Sequence, residues 1–259
     1  MRLEVIVSTM GQKSIDFYKN LNIKSDCLII NQANSHDYDE IMDGENKIRM
    51  ITTPTRGLGR SRNIGLLNSK ADIIVIADDD EVFEDDYVEK IKKEFKDHPE
   101  IDFFMMKTEI HQDGEKIIKV KKDGDLKFHQ SLKYGSVHFA FKRKTVLKYN
   151  MSFSTYFGAG TENGSGEDSL FIKDGFKNGL KFRTSTKLIA KIYNDDSTWF
   201  EGYNEKFFFD KGQLARALFP KAYRLYIGYF IKRHEKHLEN MKKSQAYKKM
   251  LEGAKYYGG

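Results

Sequence analysis

The sequence predicts an α/β fold built on a largely parallel sheet, and two observations carry that expectation. Four short apolar runs rich in β-branched residues, Leu3–Val7, Cys27–Ile30, Ile48–Thr52 and Ile73–Ala77, are each bounded by polar or turn-forming residues and read as buried strands. Helix-like segments alternate with them, at Gln12–Leu21 and Arg60–Asn68. Alternating strands and helices bury both faces of a parallel sheet, and such a sheet presents its ligands beyond the carboxyl ends of the strands.

Each later element has its own signal. Ile64, Leu66 and Leu67 give Arg60–Asn68 an apolar side behind an Arg-Ser-Arg-Asn start. A further helix is expected to begin near Glu84, where acids suit the positive end of a helix dipole. Beyond Pro99 come longer extended segments, Asp102–Ile110 and Lys116–Lys122, separated by the hairpin-forming Gln112-Asp113-Gly114-Glu115. Gly158–Gly166 has four glycines in nine residues and no periodicity, so it is a loop, and it opens onto an amphipathic helix at Glu167-Asp168-Ser169-Leu170-Phe171. From Lys211 the pattern is helical, broken at Pro220. The expected division is a catalytic body, residues 1–210, and a basic helical extension, residues 211–259.

Composition narrows the classes. With 39% hydrophobic, 13% aromatic and only three prolines in 259 residues, the chain can bury a core and is neither collagenous nor disordered. Cys27 is the single cysteine, which excludes an intrachain disulfide and a cysteine-based zinc or iron–sulfur site. The opening MRLEVIVSTMGQK has too short an apolar stretch for a signal peptide, so a cytoplasmic chain is expected. The run Leu225–Ile231 is far below the ~18–20 residues that span a bilayer. Residues 211–259 hold twelve basic and three acidic side chains, a balance of +9 that leaves −3 on the first 210. A basic tail behind an acidic body suits an anionic surface, and equally a solvated helical face.

Three clusters carry chemistry. Asp78-Asp79-Asp80-Glu81 follows the strongest strand, and four successive acids repel one another unless a cation or donors neutralise them. Hard oxygens favour Mg²⁺ or Mn²⁺, which take one or two protein carboxylates together with water and phosphate oxygens. Glu167-Asp168 lies at a loop-to-helix junction, where a carboxylate can serve as a general base or simply cap the helix. Arg56-Gly57-Leu58-Gly59-Arg60-Ser61-Arg62-Asn63 puts three arginines and two glycines at a helix start, a setting that suits phosphate.

In this order the pieces resemble family 2 of the glycosyltransferases: a first strand ending in Val7-Ser8-Thr9-Met10, then Arg60–Gly65, the strand ending in Asp78-Asp79-Asp80, and Gly166-Glu167-Asp168 with Phe171 one turn on. The resemblance covers about residues 1–200. Ser197-Thr198-Trp199-Phe200 and Gly202–Lys206 resemble a subgroup associated with bacterial surface polysaccharides.

The resemblance implies an A-type glycosyltransferase fold and an inverting, metal-dependent transfer of a sugar from a nucleoside diphosphate sugar, a UDP-sugar first, to a hydroxyl of a glycan or lipid-linked acceptor. It implies that Ser8 and Thr9 lie by the nucleotide, that Asp78 approaches the ribose or base, and that Asp79, Arg60 and Asn63 line the nucleotide side. Asn31 stands where many relatives carry an acid that reads the nucleobase. Asp80 is implied to hold Mn²⁺ or Mg²⁺, Asp168 to deprotonate the acceptor and Glu167 to orient acceptor or base. The histidine that completes the metal site in some relatives has no counterpart in Ile192–Asp196, and His234 and His237 are expected to be solvated. The implied setting is polysaccharide biosynthesis in the cytoplasm, peripheral at the inner membrane face, with no nucleic-acid partner. Two other readings stand beside it. A sugar-phosphate nucleotidyltransferase needs a Gly-rich basic loop after the first strand, where this chain has STMGQK. A non-catalytic membrane- or nucleic-acid-binding protein would use the basic tail alone.

Overall fold

The computed structural model describes residues 1–112, 114–193, 202–238 and 241–258. The strands are β1 (Leu3–Met10), β2 (Asp26–Gln32), β3 (Asp37–Asp43), β4 (Asn46–Thr53), β5 (Ile73–Asp78), β6 (Glu81–Phe83), β7 (Phe103–Gln112), β8 (Glu115–Ile117), β9 (Gly124–Asp125), β10 (Phe139–Lys142) and β11 (Phe182–Tyr193). The α-helices are α1 (Leu58–Asn68), α2 (Tyr87–Asp97), α3 (Phe128–Ser131), α4 (Arg143–Lys148), α5 (Glu167–Lys177), α6 (Glu205–Leu218), α7 (Tyr223–Arg233) and α8 (Lys243–Gly258). Contacts divide them into two compact units, residues 1–155 with 167–196 and residues 156–166 with 197–259.

The first unit is one sheet in the order β3-β4-β2-β1-β5-β10-β7-β11-β6, with β8 added to β7 and β9 to β11. The four strands read from apolar runs, β4, β2, β1 and β5, are mutually parallel. Strand β10 enters antiparallel between β5 and β7, and β11 returns parallel to β7. Side chains alternate between the faces of a strand. Val5, Val7, Cys27, Ile29, Val75 and Ala77 therefore join a core with Tyr87, Ile91 and Phe95 of α2. Their neighbours Ile6, Leu28, Ile30, Ile74 and Ile76 join a second core with Leu66 of α1 and Phe171 and Ile172 of α5. Helices on both faces give the expected α/β sandwich.

Close packing on that second face positions the site. A Cβ on Gly65 would lie 2.3 Å from Ile6 Cγ2, so α1 can rest on β1 only with glycine there. Phe171 is fully buried and stacks on Phe153 at 4.1 Å with the ring planes nearly parallel, at 3°. Its neighbours Phe103, Phe139 and Phe141 belong to the sheet, so the aromatic cluster fixes α5 one turn beyond Asp168.

Several expectations are corrected. Gln12–Leu21 is a 3₁₀ helix over Ile15–Leu21: Ser14 caps it through the Asp16 N–H, and Asn22 ends it in the left-handed region at φ 53°. The helix expected at Glu84 begins at Tyr87, because Glu81–Phe83 pair with β11 as a strand. Of Lys116–Lys122, only the start is strand, as part of β8. Strand β3, DYDEIMD, gave no signal because it is an exposed edge with only Ile41 half-buried. Helix α6 starts at Glu205, where Asn204 accepts from the Phe207 N–H, and runs continuously past Asp210. Ser197–Phe200, Asn194–Asp196 and Asp113 lie outside the described residues.

The second unit is the irregular segment 156–166 with α6, α7 and α8. Phe208, Ala215, Ile227, Phe230, Ile231, Ala246, Met250 and Ala254 form its core. Helices α6 and α8 cross backbone to backbone: a Cβ on Gly212 would come within 2.0 Å of Met250 O, and one on Gly253 within 2.0 Å of Phe209 O. Gln213 ties the loop to α6, accepting from the Tyr156 hydroxyl at 2.8 Å and donating to Asn163 Oδ1 at 2.5 Å. His234 and His237 are half-buried and keep part of their surface in solvent, stacked on Phe230 at 4.1 Å and on Tyr203 at 4.6 Å. No helix among the described residues is long and apolar enough to cross a membrane.

The crossing makes a paired prediction. Gly253→Ala should lower stability by about 1–3 kcal/mol, since the added methyl meets backbone that cannot move aside. Gly228→Ala, on an exposed stretch of α7 with open space around it, should raise stability by up to about 1 kcal/mol through helix propensity. Urea midpoints of the two variants against the wild type check both, and equal midpoints would refute the close crossing.

Candidate active site

The carboxyl ends of β1, β2, β4 and β5 carry Ser8, Thr9, Asn31, Thr52 and Asp78 in register, Ser8 beside Asp78 and Thr9 beside Asn31. Alternation sends these residues to opposite faces. Ser8 and Asp78 share the parity of Ile6 and Ile76 and face α1 and α5. Thr9 and Asn31 share the parity of Val7 and Ile29 and face the other core.

On the α1 face the central group is Arg62, 1% exposed. Its Nη2 donates to Asp78 Oδ1 at 3.0 Å, and its Nη1 donates to Asp168 Oδ1 at 2.9 Å and Glu167 Oε1 at 3.1 Å. The guanidinium also lies over the Phe153 ring at 5.4 Å. Burial opposes its charge, but Asp168, Asp78 and Glu167 outweigh burial and hold the arginine more firmly protonated than usual. Asp168 Oδ2 accepts from the Ser136 N–H at 2.9 Å. Burial first, then the neighbouring Glu167, push the Asp168 carboxyl up to about 7 against the pull of Arg62. Ser61 Oγ donates to Ser8 Oγ at 2.8 Å, which ties the start of α1 to the end of β1.

On the other face Thr9 Oγ1 donates to Asp79 Oδ2 at 2.6 Å. The Asn31 amide grips the backbone of Gln12 from both sides, accepting from its N–H at 3.0 Å and donating to its carbonyl at 2.9 Å. Asn31 Nδ2 also donates to Thr52 Oγ1 at 3.2 Å. The structure therefore brings Ser8, Asp78, Glu167 and Asp168 together on one side, and Thr9, Asp79 and Asn31 on the other.

Asp79 and Asp80 form the turn from β5 into β6. Burial first, then Asp78 and Asp79, push the Asp80 carboxyl up to about 6. Glu81 is fully buried, its two carboxyl oxygens lack hydrogen-bond partners, and burial holds it well above the usual carboxylate range. Among the described residues, no three His, Cys, Asp or Glu side chains converge in a cage. A divalent cation at this strand end would therefore take one or two protein carboxylates, Asp80 among them, and fill its shell with water and phosphate oxygens.

Arg60 and Asn63 sit apart from these groups. Arg60 is exposed and donates to the Arg56 carbonyl at 3.2 Å. Asn63 holds the Phe153 backbone, donating to its carbonyl at 2.9 Å and accepting from its N–H at 2.8 Å.

The family profile described as Glycosyl transferase family 2 matches residues 22–164, more than half of the chain. The chain belongs to glycosyl transferase family 2. It is a glycosyltransferase, and the match takes in α1 and the strand-end acids and stops just short of Glu167. Among solved structures, S. aureus TarS 1–349 in complex with UDP-GlcNAc is similar at 14% identity over 97% of this chain and 80% of that one, with a TM-score of 0.68. The same TarS segment without that ligand gives 13% identity over 98% and 81%, with a TM-score of 0.66. A longer TarS structure matches at 14% identity and a TM-score of 0.61, over 94% of this chain but 45% of its own length. The sheet is that of the A-type glycosyltransferase fold. No curated protein matches the sequence.

Within this family 2 site, the sequence reading named Arg62, Ser61 and Glu81 only as members of their clusters, with no role of their own, and missed Ser136 and the half-buried Lys119, whose charge acts on Asp168. An arginine one half-turn from Arg60 points to the opposite side of the helix, which sets Arg62 apart from Arg60 but names no partner for it. The others depend on contacts far apart in sequence.

Asn63→Ala should cost about 1–3 kcal/mol, because it leaves two backbone groups of Phe153 unpaired, while nucleotide affinity stays unchanged. Thermal melts and calorimetry read the two effects separately. Full stability with lost nucleotide affinity would return Asn63 to the donor side.

Proposed function

We propose that this glycosyltransferase moves a sugar from a nucleoside diphosphate sugar to an acceptor hydroxyl, with inversion, in polysaccharide biosynthesis. The observation that carries the reading is the Arg62 bridge, which sets a strand-end acid, Asp78, beside the two acids that open α5. In an open α/β sheet the strand ends receive the nucleotide. Asp78 accepts from the ribose, Ser8 and Thr9 line the nucleotide with Asp79 and Asn31, and the exposed Arg60 reaches from the start of α1. Asp168 takes the proton of the acceptor hydroxyl as that oxygen attacks the anomeric carbon, while Glu167 orients it. A carboxyl raised to about 7 suits a general base at neutral pH. Asp80 would hold Mn²⁺ or Mg²⁺, whose charge would offset that developing on the departing diphosphate. The similarity to TarS structures solved with UDP-GlcNAc and with UDP supports a uridine nucleotide.

The test separates donor from acceptor chemistry. Asp168→Asn should lower kcat by ~10²–10⁴ and keep UDP affinity within about tenfold of the wild type; Asp80→Asn should abolish the Mn²⁺-dependent part of that affinity. Because only the ionised base accepts a proton, wild-type kcat/KM, which reports the ligand-free enzyme, should climb as pH rises through about 7 and lose that dependence in Asp168→Asn. Loss of UDP binding in Asp168→Asn, or turnover that ignores a chelator, would refute the assignment.

The acceptor in this reading is a glycan or a lipid-linked glycan at the cytoplasmic membrane face. Residues 1–210 carry catalysis, and the basic extension, 211–259, carries the surface contact. Of its aromatic and aliphatic groups, Ile227, Phe230 and Ile231 belong to the helical core, whereas Leu225 is 80% and Tyr229 57% exposed. Lys221, Arg224, Lys232 and Arg233 are exposed around them, a mixture that suits an anionic interface. Since α6 is continuous across Asp210, charge reversal tests this better than truncation. The full chain should cosediment with phosphatidylglycerol vesicles at low salt and leave them at high salt, and Lys221→Glu/Arg224→Glu/Lys232→Glu/Arg233→Glu should stay in the supernatant. Equal sedimentation of both proteins would remove α7 from the surface contact.

A further inference from the structure

One guanidinium serves three carboxylates. With Asp78, Glu167 and Asp168 all ionised, the group around Arg62 carries two more negative than positive charges, so the acids compete for a single cation. The competitors differ in exposure: the Asp78 side chain is 31% exposed, Asp168 21% and Glu167 8%, while Arg62 is 1%. Asp168 is faced by Glu167 from its own helix, by Asp78 from β5, by Lys119 from the segment between β8 and β9, and by the Ser136 N–H. His138, two residues beyond Ser136, accompanies Lys119 and is kept neutral by burial. Of these groups, only Arg62 is bonded to both the strand-end acid and the α5 acids.

We propose that Arg62 is a shared counter-ion that couples the donor and acceptor halves of the reaction, so that satisfying Asp78 readies Asp168 to take a proton. A ribose hydroxyl that donates to Asp78 disperses its charge. Asp78 then holds Nη2 less strongly and repels Asp168 less, and more of the guanidinium's field falls on Asp168. Both effects favour the ionised carboxylate. The base is thus held partly protonated in the empty enzyme and is armed as the donor arrives. Linkage makes the effect mutual, since a site that loses a proton when a ligand binds also binds that ligand more tightly once the proton is gone. The consequence for catalysis rests on Asp168 being the base; the coupling itself does not.

Titration of the full-length protein without substrate tests the coupling. Aspartate labelled with ¹³C at the carboxyl carbon reports Asp168, assigned by the signal lost in its Asn variant, and ¹⁵N labelling reports the Arg62 Nη atoms. In the wild type the Arg62 nitrogens should move as Asp168 titrates, a readout that needs no substitution. In Asp78→Asn the Asp168 midpoint should fall by about one pH unit, a tenfold change in proton affinity. In an Arg62→Lys background the same change should shrink to less than half, because an ammonium lacks the fork that reaches both sides. An Asp168 midpoint unmoved by Asp78→Asn, or Arg62 nitrogens that stay still as Asp168 titrates, overturns the proposal. A full-sized shift in the lysine background assigns the effect to direct repulsion and also overturns it. Should the lysine variant not fold, the wild-type nitrogen signals decide. If Asp168→Asn keeps full transfer while these titrations are coupled, the base assignment fails and the coupling stands.

Discussion

A buried guanidinium among three carboxylates is the constraint around which the first unit is arranged. An arginine removed from water is strongly destabilising unless its charge is matched. Arg62 meets that condition with Asp78 from β5 and with Glu167 and Asp168 from α5, more than 100 residues further along the chain than Arg62. The pairing fixes the end of the central sheet, the start of α1 and the start of α5 relative to one another. Gly65 allows α1 to approach β1 closely enough for this, and Phe171 anchors α5 a turn beyond the acids. Apolar packing sets the distances, and the ion pairs set which side chains occupy them.

The two-residue period of the strands divides the labour of the strand ends. Neighbours in sequence, Ser8 and Thr9 or Asp78 and Asp79, serve different faces. One face is strongly charged and closed by helices. The other is a network of hydroxyl and amide groups in which Asn31 fixes the path of the chain leaving β1 by pairing with the Gln12 backbone as a neighbouring strand would. An amide can donate and accept at once, and a carboxylate at this position could only accept. This is a physical reason for asparagine here rather than an acid.

What could be read from the sequence follows the physics of each element. The parallel strands β1, β2, β4 and β5 were legible because burial on both faces writes them as continuous apolar runs. Strand β3 was not, since six of its seven residues face solvent, and β6 was hidden among acids that resemble a helix start. The carboxylates at 78–80 and 167–168 were visible as local clusters. Which of them meet was not, because Arg62 is one arginine among three in its segment and only the tertiary fold selects it. The same holds for Asn63, whose amide looks available for a ligand until the Phe153 backbone is seen to use both its ends.

The position of β10 has a consequence for how the chain is made. This short strand separates β5 from β7 in the sheet, yet it follows both of them in sequence. While the ribosome is still producing the residues between Gln112 and Phe139, the strand Ile73–Asp78 can already be paired with β1 along one side. Its other side has no partner until Phe139–Lys142 emerges. An apolar strand with an open edge is a template for pairing with other chains. The order of synthesis therefore opens a window in which the newborn sheet is adhesive, and it closes only when four residues slot into its centre.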